Sequence, residues 1–236
     1  SALDVLRGLD GVGDVRVLLT RAEEVGFVGA ILACESGLIP HNAKVIALEN
    51  SRSFPESPIG GGPIIRVGDR ISIFDHGLTY SITQIADALG QSEAKTQPGS
   101  GGGWARGPGF GGSSADSGFR WQRKLMAGGA CEATCFQAYG LESTCVCLPL
   151  GNYHNMGDID AVLAGTNTKP AKVGSEFISV SDYHDLVTLL IECGRKMTGR
   201  DRSKEAEDGA AAIRGRMTSI RDSRSFVLTE RGSKLD

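Results

Sequence analysis

A chain of 236 residues is long enough to bury one substantial α/β core, and its net charge of −3, with no basic block ahead of the tail, leaves no footprint for nucleic acid. No apolar run approaches the roughly 20 residues that a membrane-spanning helix requires, and no signal-peptide pattern opens the chain, so no membrane partner is expected. The six cysteines, Cys34, Cys131, Cys135, Cys145, Cys147 and Cys193, lie among apolar or small residues and read as buried free thiols in a reducing cytoplasm.

Leu3, Leu6 and Leu9 are apolar at helical spacing, with Gly8 and Gly11 ending the pattern. After the turn signal Gly13-Asp14, the alternation of Val15, Val17 and Leu19 predicts a strand over 15–20. Small residues at Gly26, Gly29 and Ala30 suit close packing, and a helix is expected over 26–33. A second apolar run at 45–49 predicts a strand that ends in Glu49. Residues 51–62 are rich in Pro, Gly and Ser and read as a loop, followed by a short strand and turn at 62–70. Asp75 caps a predicted helix whose apolar face is Leu78, Ile82, Ile85 and Leu89, with Gly90 closing it and His76 beside the cap.

Residues 91–117 are polar and glycine-rich. They lack the Gly-Lys-Ser/Thr ending of a phosphate cradle and read as a surface loop, with Trp104 and Phe110 as its aromatic residues. Gly128-Gly129 predicts a tight turn into a helix ending near Gly140. The run 143–150 is β-rich and delivers His154 at its end. Residues 158–174 read as a polar loop and 176–180 as a short strand. Ser181 or Asp182 then caps a final helix with Leu186, Leu189, Leu190 and Cys193 on its apolar face. Beyond Met197 the composition turns charged and small. The expected organisation is a domain over 1–198, with its glycine-rich loop at 91–117, and a tail over 199–236.

Chemistry concentrates at predicted strand ends, the edge where open α/β sheets bind ligands. Glu23 and Glu24 are adjacent, and successive side chains of extended backbone point to opposite sides, so one can hold a metal while the other faces a substrate water. Alone, such a pair is ordinarily a solvated helix start or strand end. Glu49 and His154 stand at two further strand ends, each with an equally ordinary reading as a surface carboxylate and a loop histidine. Cys131-x3-Cys135 and Cys145-x-Cys147 match no zinc-finger spacing, and core packing explains them.

Taken in order, the segments Thr20-Arg21-Ala22-Glu23-Glu24-Val25-Gly26-Phe27-Val28-Gly29-Ala30, Ala47-Leu48-Glu49, Gly128-Gly129-Ala130-Cys131-Glu132-Ala133 and Pro149-Leu150-Gly151-Asn152-Tyr153-His154-Asn155 resemble the dinuclear zinc aminopeptidases of the co-catalytic metallopeptidase superfamily. The resemblance implies a three-layer α/β/α fold with a mixed, mainly parallel sheet whose N-terminal strands are absent here. Glu23 matches the general base, Glu24 and His154 ligands of one metal, and Glu49 the carboxylate ligand of the other. Glu132 would lie near the substrate amine. The implied cofactors are two divalent ions, zinc or else cobalt or manganese, the substrate is a peptide, and a homo-oligomer is compatible with the family.

The family also takes a His from a His-x-Asp motif, and a bridging Asp, from upstream of the paired glutamates. Only 22 residues precede Glu23, none of them His, and neither Asp4 nor Asp10 has the usual flanking pattern. The expectation is therefore the C-terminal part of a catalytic domain, weak in metal binding, poor in catalysis and poorly soluble on its own. Two other readings stay open: an inactive homologue used for binding or assembly, and a deacylase or carboxypeptidase on the same scaffold.

Overall fold

The computed structural model describes residues 2–8, 12, 14–94, 118–197, and 211, 214, 215, 218 and 219. The chain divides into two units, Ser1–Gly199 and Arg200–Asp236; the described residues of the second are helical. In the first unit the helices are α1 (Ala2–Arg7), α2 (Val28–Glu35), α3 (His76–Ala94), α4 (Glu132–Ala138), α5 (Ile159–Ala164) and α6 (Val180–Lys196). The strands are β1 (Lys44–Arg52), β2 (Ile64–Asp69), β3 (Gln122–Met126), β4 (Glu142–Leu150), β5 (Met156–Gly157) and β6 (Lys172–Val173).

The main sheet has the order β1-β4-β2-β3. β1 runs parallel to β4 and β2 parallel to β3, whereas β2 and β4 are antiparallel, so the sheet is mixed and mainly parallel. β4 is central and is buried along Ser143–Leu150. A strand covered on both faces must be apolar on both, and its polar members are satisfied locally: Ser143 Oγ donates to the Ala133 carbonyl at 2.6 Å, and the Thr144 and Thr79 hydroxyls share a hydrogen bond of 2.8 Å. β2 pairs only as far as Cys147, so Pro149 falls where β4 has a single neighbour and its missing N–H is tolerated.

Period-two alternation sorts these strands into two cores. Ile65 and Val146 join Leu78, Ile82 and Ile85 of α3 and Leu189 and Cys193 of α6 on one face. Ile64, Ala47, Cys145 and Cys147 meet Cys131 and Ala133 on the other, where α4 lies, with α2 packed outside it through Ala30, Cys135 and Phe136. The result is three layers. α3 begins as its cap predicts, with the Asp75 carboxylate accepting from the Leu78 N–H at 2.8 Å.

Several expectations are corrected. Residues 15–20 form no strand: they have no regular secondary structure, and Val17 and Leu19 are exposed. Alternation marks a surface able to pair, and among the described residues nothing pairs with it. α3 runs past Gly90 to Ala94, and residues 95–117, with Trp104 and Phe110, lie outside the described residues. The stretch 158–174 contains α5 and β6, and 176–180 is reduced to a single bridge between Phe177 and Gly151.

Ser179, not Ser181 or Asp182, caps α6, its hydroxyl accepting from the Ser181 N–H at 3.2 Å. Asp182 is fully buried and accepts from the Gly60 N–H at 2.8 Å and the Gly62 N–H at 2.9 Å, which fastens the loop before β2 to α6. Gly62 has φ +86°, and a Cβ there would stand 2.1 Å from the Arg120 carbonyl oxygen, so no other residue fits. Replacing Asp182 by Ala leaves two N–H donors without partners and should cost about 3 kcal/mol. The expected result is a lower urea midpoint at unchanged m-value; a midpoint equal to that of the parent protein would show that the anchor carries no stability.

Candidate active site

Glu23 and Glu24 occupy a turn rather than a strand end. The Glu23 carbonyl accepts from the Gly26 and Phe27 N–H groups at 3.1 and 3.0 Å, and Ala22 and Phe27 take left-handed φ of 56° and 59°. Gly29 lies so close to Arg21 that a Cβ would be 2.4 Å from the Arg21 nitrogen. The small residues in this stretch are therefore required by the backbone that presents the two carboxylates.

β1 carries Glu49 on the face that packs against α4, beside Ala47 and opposite Cys147 in register. β4 delivers Gly151, where a Cβ would strike the Phe177 ring at 2.2 Å, and the chain then enters the short 3-10 turn Tyr153–Asn155. Asn152, His154 and Asn155 all have positive φ, at 52°, 58° and 56°. A left-handed non-glycine residue costs on the order of 1–3 kcal/mol, and such strain clusters at functional sites. Here it lies on the two segments that bring the paired glutamates and the histidine.

These segments converge. Burial raises the Glu23 carboxyl above its ordinary range, the neighbouring charges of Glu24 and Glu132 raise it further, and His154 opposes them. Burial also pushes Glu49 up to about 7, helped by Cys147 and Glu23 and opposed by hydrogen bonds from Cys131 and the Glu132 backbone N–H. Glu132 begins α4; the Thr20 hydroxyl donates to its Oε2 at 2.8 Å. It is half-buried. All five residues singled out in the sequence, Glu23, Glu24, Glu49, Glu132 and His154, thus belong to one electrostatic neighbourhood.

Tyr153 belongs to it too and was given no role by sequence reasoning. Its ring lies 4.2 Å from that of His154, centroid to centroid. Burial and then the charges of Glu24, Glu49 and Glu23 push its phenol above the ordinary range, so it stays protonated and able to donate. Its position between Asn152 and His154 was the available signal.

The donor set fits a cation. Glu49 Oε1 and Glu132 Oε1 are buried without a hydrogen-bond partner, an expensive state for a carboxylate oxygen. Oxygen and imidazole donors suit zinc, cobalt or manganese. Behind Glu49 the donors change character: one donor atom each of Glu49, Cys131 and Cys145 lies within 4.8 Å of the other two. Cys147 stands alongside, its sulfur accepting from Arg66 Nε at 3.1 Å. Burial would raise the Cys147 thiol, but the hydrogen bond from Cys145 and the Arg66 charge outweigh it and hold the group below the ordinary thiol range.

No family model and no curated protein matches the chain. Among solved structures, the TET aminopeptidase of a marine-sediment Thaumarchaeota archaeon aligns with a TM-score of 0.51 at 17% identity, over 79% of this chain and 41% of that one. An aminopeptidase of Desulfurococcus kamchatkensis aligns with a TM-score of 0.49 at 16% identity, over 75% and 40%. The TET1 peptidase of Pyrococcus horikoshii, which can assemble into a tetrahedron or a large octahedral shell, aligns with a TM-score of 0.44 at 17% identity, over 73% and 38%. What the Thaumarchaeota structure shares with this chain is the fold. The chain spans about two fifths of the length of these structures.

The raised Glu49 carboxyl has a consequence for stability. Folding lifts it from an ordinary 4.5 to about 7, so the folded state holds a proton that the unfolded chain has released. Its contribution is complete below pH 4.5 and is lost as pH rises to about 7, up to about 3 kcal/mol for a shift of this size. In metal-free protein, urea midpoints should fall across that window, and Glu49→Gln should flatten the slope. A slope unchanged in the variant would assign the pH dependence to other groups.

Proposed function

We propose that the chain provides the carboxylate and histidine side of a metal-dependent exopeptidase site, and that the reaction is removal of an N-terminal residue from a peptide. The observation that carries this reading is the convergence of Glu23, Glu24, Glu49, Glu132 and His154 around buried carboxylate oxygens without partners. Two divalent ions, zinc or else cobalt or manganese, would be held by Glu24 and His154 on one side and Glu49 on the other, and would supply an acidified water and polarise the scissile carbonyl.

The chain's own residues do the rest. Glu23, with its carboxyl raised above the ordinary range by burial, accepts a proton from the attacking water and returns it to the amine nitrogen as the peptide bond breaks. Tyr153 keeps its proton and can donate to a developing oxyanion. Glu132, held by Thr20, offers a fixed negative charge to the cationic amino terminus of a substrate. That preference for a free amine is what favours an aminopeptidase over a carboxypeptidase or deacylase.

A cytoplasmic setting and an assembly of several copies belong to the same proposal. Six free cysteines support the first, and exposed Val17, Leu19, Val25 and Leu32 support the second. Among the described residues no helix is long and apolar enough to cross a membrane.

The test uses the product of the complete reading frame, with metal content and hydrolysis of aminoacyl anilides measured together. Glu23→Gln should lower turnover about 100- to 10,000-fold with the bound metal unchanged, the range expected on loss of a general base. Glu24→Gln and His154→Ala should lose metal as well as turnover. A protein that binds no divalent ion and cleaves no aminoacyl substrate would be a binding or assembly module on a peptidase scaffold.

A further inference from the structure

The oxygen-rich side of the site does not account for the sulfur behind it. Cys131 precedes α4, Cys145 sits in the centre of β4, and Glu49 lies on the adjacent β1, so three separate elements deliver the donors. All three donor atoms lie within 4.8 Å of one another, and both cysteines are fully buried. Bond lengths of about 2.3 Å to sulfur and 2.0 Å to oxygen put the ligands of a tetrahedral ion roughly 3.5–3.8 Å apart, so small side-chain rotations suffice to close the set.

We propose that Cys131, Cys145 and Glu49 form a binding site for a soft divalent cation of the zinc or cadmium type. Thiolate donors select such ions over magnesium, calcium or manganese. Three protein ligands leave the fourth tetrahedral position to a water.

The surroundings are built to hold the set in place. The Cys131 N–H donates to Asp69 Oδ2 at 3.0 Å, and the Thr134 hydroxyl donates to the same carboxylate, which fixes the start of α4 against the end of β2. Cys145 is immobilised by the pairing of β4 with both β1 and β2. Glu49 Oε1 is buried and accepts no hydrogen bond within the protein. Cys147 is excluded because its sulfur already accepts from Arg66. Two thiolates and a carboxylate exceed the charge of a divalent ion by one, and the buried Arg66 guanidinium stands on the same face to offset it.

The site shares Glu49 with the proposed peptidase centre but draws its other two donors from sulfur, and it does not rest on that reading. The two are separable by experiment because Glu23 belongs to one and the cysteines to the other. The 236-residue chain, kept reduced with a phosphine, is titrated with cadmium while the ultraviolet thiolate-to-cadmium charge-transfer band is followed. One equivalent should develop the band fully. Cys131→Ser and Cys145→Ser should each lose at least half of it, Glu49→Gln should keep it with affinity weakened at least tenfold, and Cys34→Ser and Glu23→Gln should leave it unchanged. X-ray absorption of the cadmium-bound parent chain then counts sulfur ligands without any substitution, so a misfolded serine variant leaves the question open to decision: two sulfurs support the site. No band at stoichiometric cadmium, a band indifferent to both serine variants, or a sulfur count other than two would overturn it and leave the two thiols as core packing.

Discussion

The arrangement depends on one constraint, the burial of β4 on both faces. A strand with helices above and below has no solvent-facing side, so each successive residue must belong to one core or the other. Val146 faces α3 and α6, while Cys145 and Cys147 face α4. The same alternation, transmitted across the parallel pairing to β1, turns Glu49 toward α4. Glu49 is partly buried there, on the edge strand of the sheet. The site is therefore a consequence of sheet register: a shift of one residue between β1 and β4 would carry Glu49 to the opposite layer.

A cluster of like charges is costly to assemble, and this one is assembled against resistance. Burial raises the proton affinity of Glu23 and Glu49, the charges of Glu24 and Glu132 raise it further at Glu23 and those of Cys147 and Glu23 at Glu49, and His154 opposes the shift at Glu23. Backbone strain adds to the cost at Ala22, Asn152, His154 and Asn155, none of them glycine. Rigid surroundings sustain such an arrangement: Gly29 pressed on Arg21, Gly151 under the Phe177 ring, and Asp69 tying the start of α4 to β2. A bound cation would lower the electrostatic part of this cost directly, because its charge is of the opposite sign to that of every carboxylate around it.

Sequence periodicity identified β1, β4 and α3 because each is long and strongly patterned, and the Asp75 cap was legible because its partner lies three residues away. Of the five candidate site residues, Glu23, Glu24, Glu49 and His154 were expected at strand ends, but Glu49 lies inside β1, which runs on to Arg52, and Glu23 and Glu24 lie in a turn that no strand precedes. Where the reading failed, the deciding partner was distant. Val15, Val17 and Leu19 alternate as a strand does, but pairing is a property of two segments and none of the described ones is available to them. Asp182 looked like a helix cap because its true partners, the N–H groups of Gly60 and Gly62, are remote in sequence. Spacing rules for cysteines are likewise local. Cys131 and Cys145 meet across the junction of a helix start and a strand interior, which no local spacing describes.

The parallel pairing of β1 with β4 also governs when the site comes into being. Lys44 lies opposite Glu142, so closing the sheet joins segments roughly a hundred residues apart, and the entropy of closing so long a loop is lost before any contact repays it. Parallel, long-range pairings are the slow events in folding. Glu49, Glu132 and His154 become neighbours only when that ladder forms, whereas Glu23 and Glu24 adopt their turn locally. The nascent chain thus carries its acidic groups as separate, weak attractors for cations until its slowest contacts close. Completion of the sheet is the step that brings these acidic groups together.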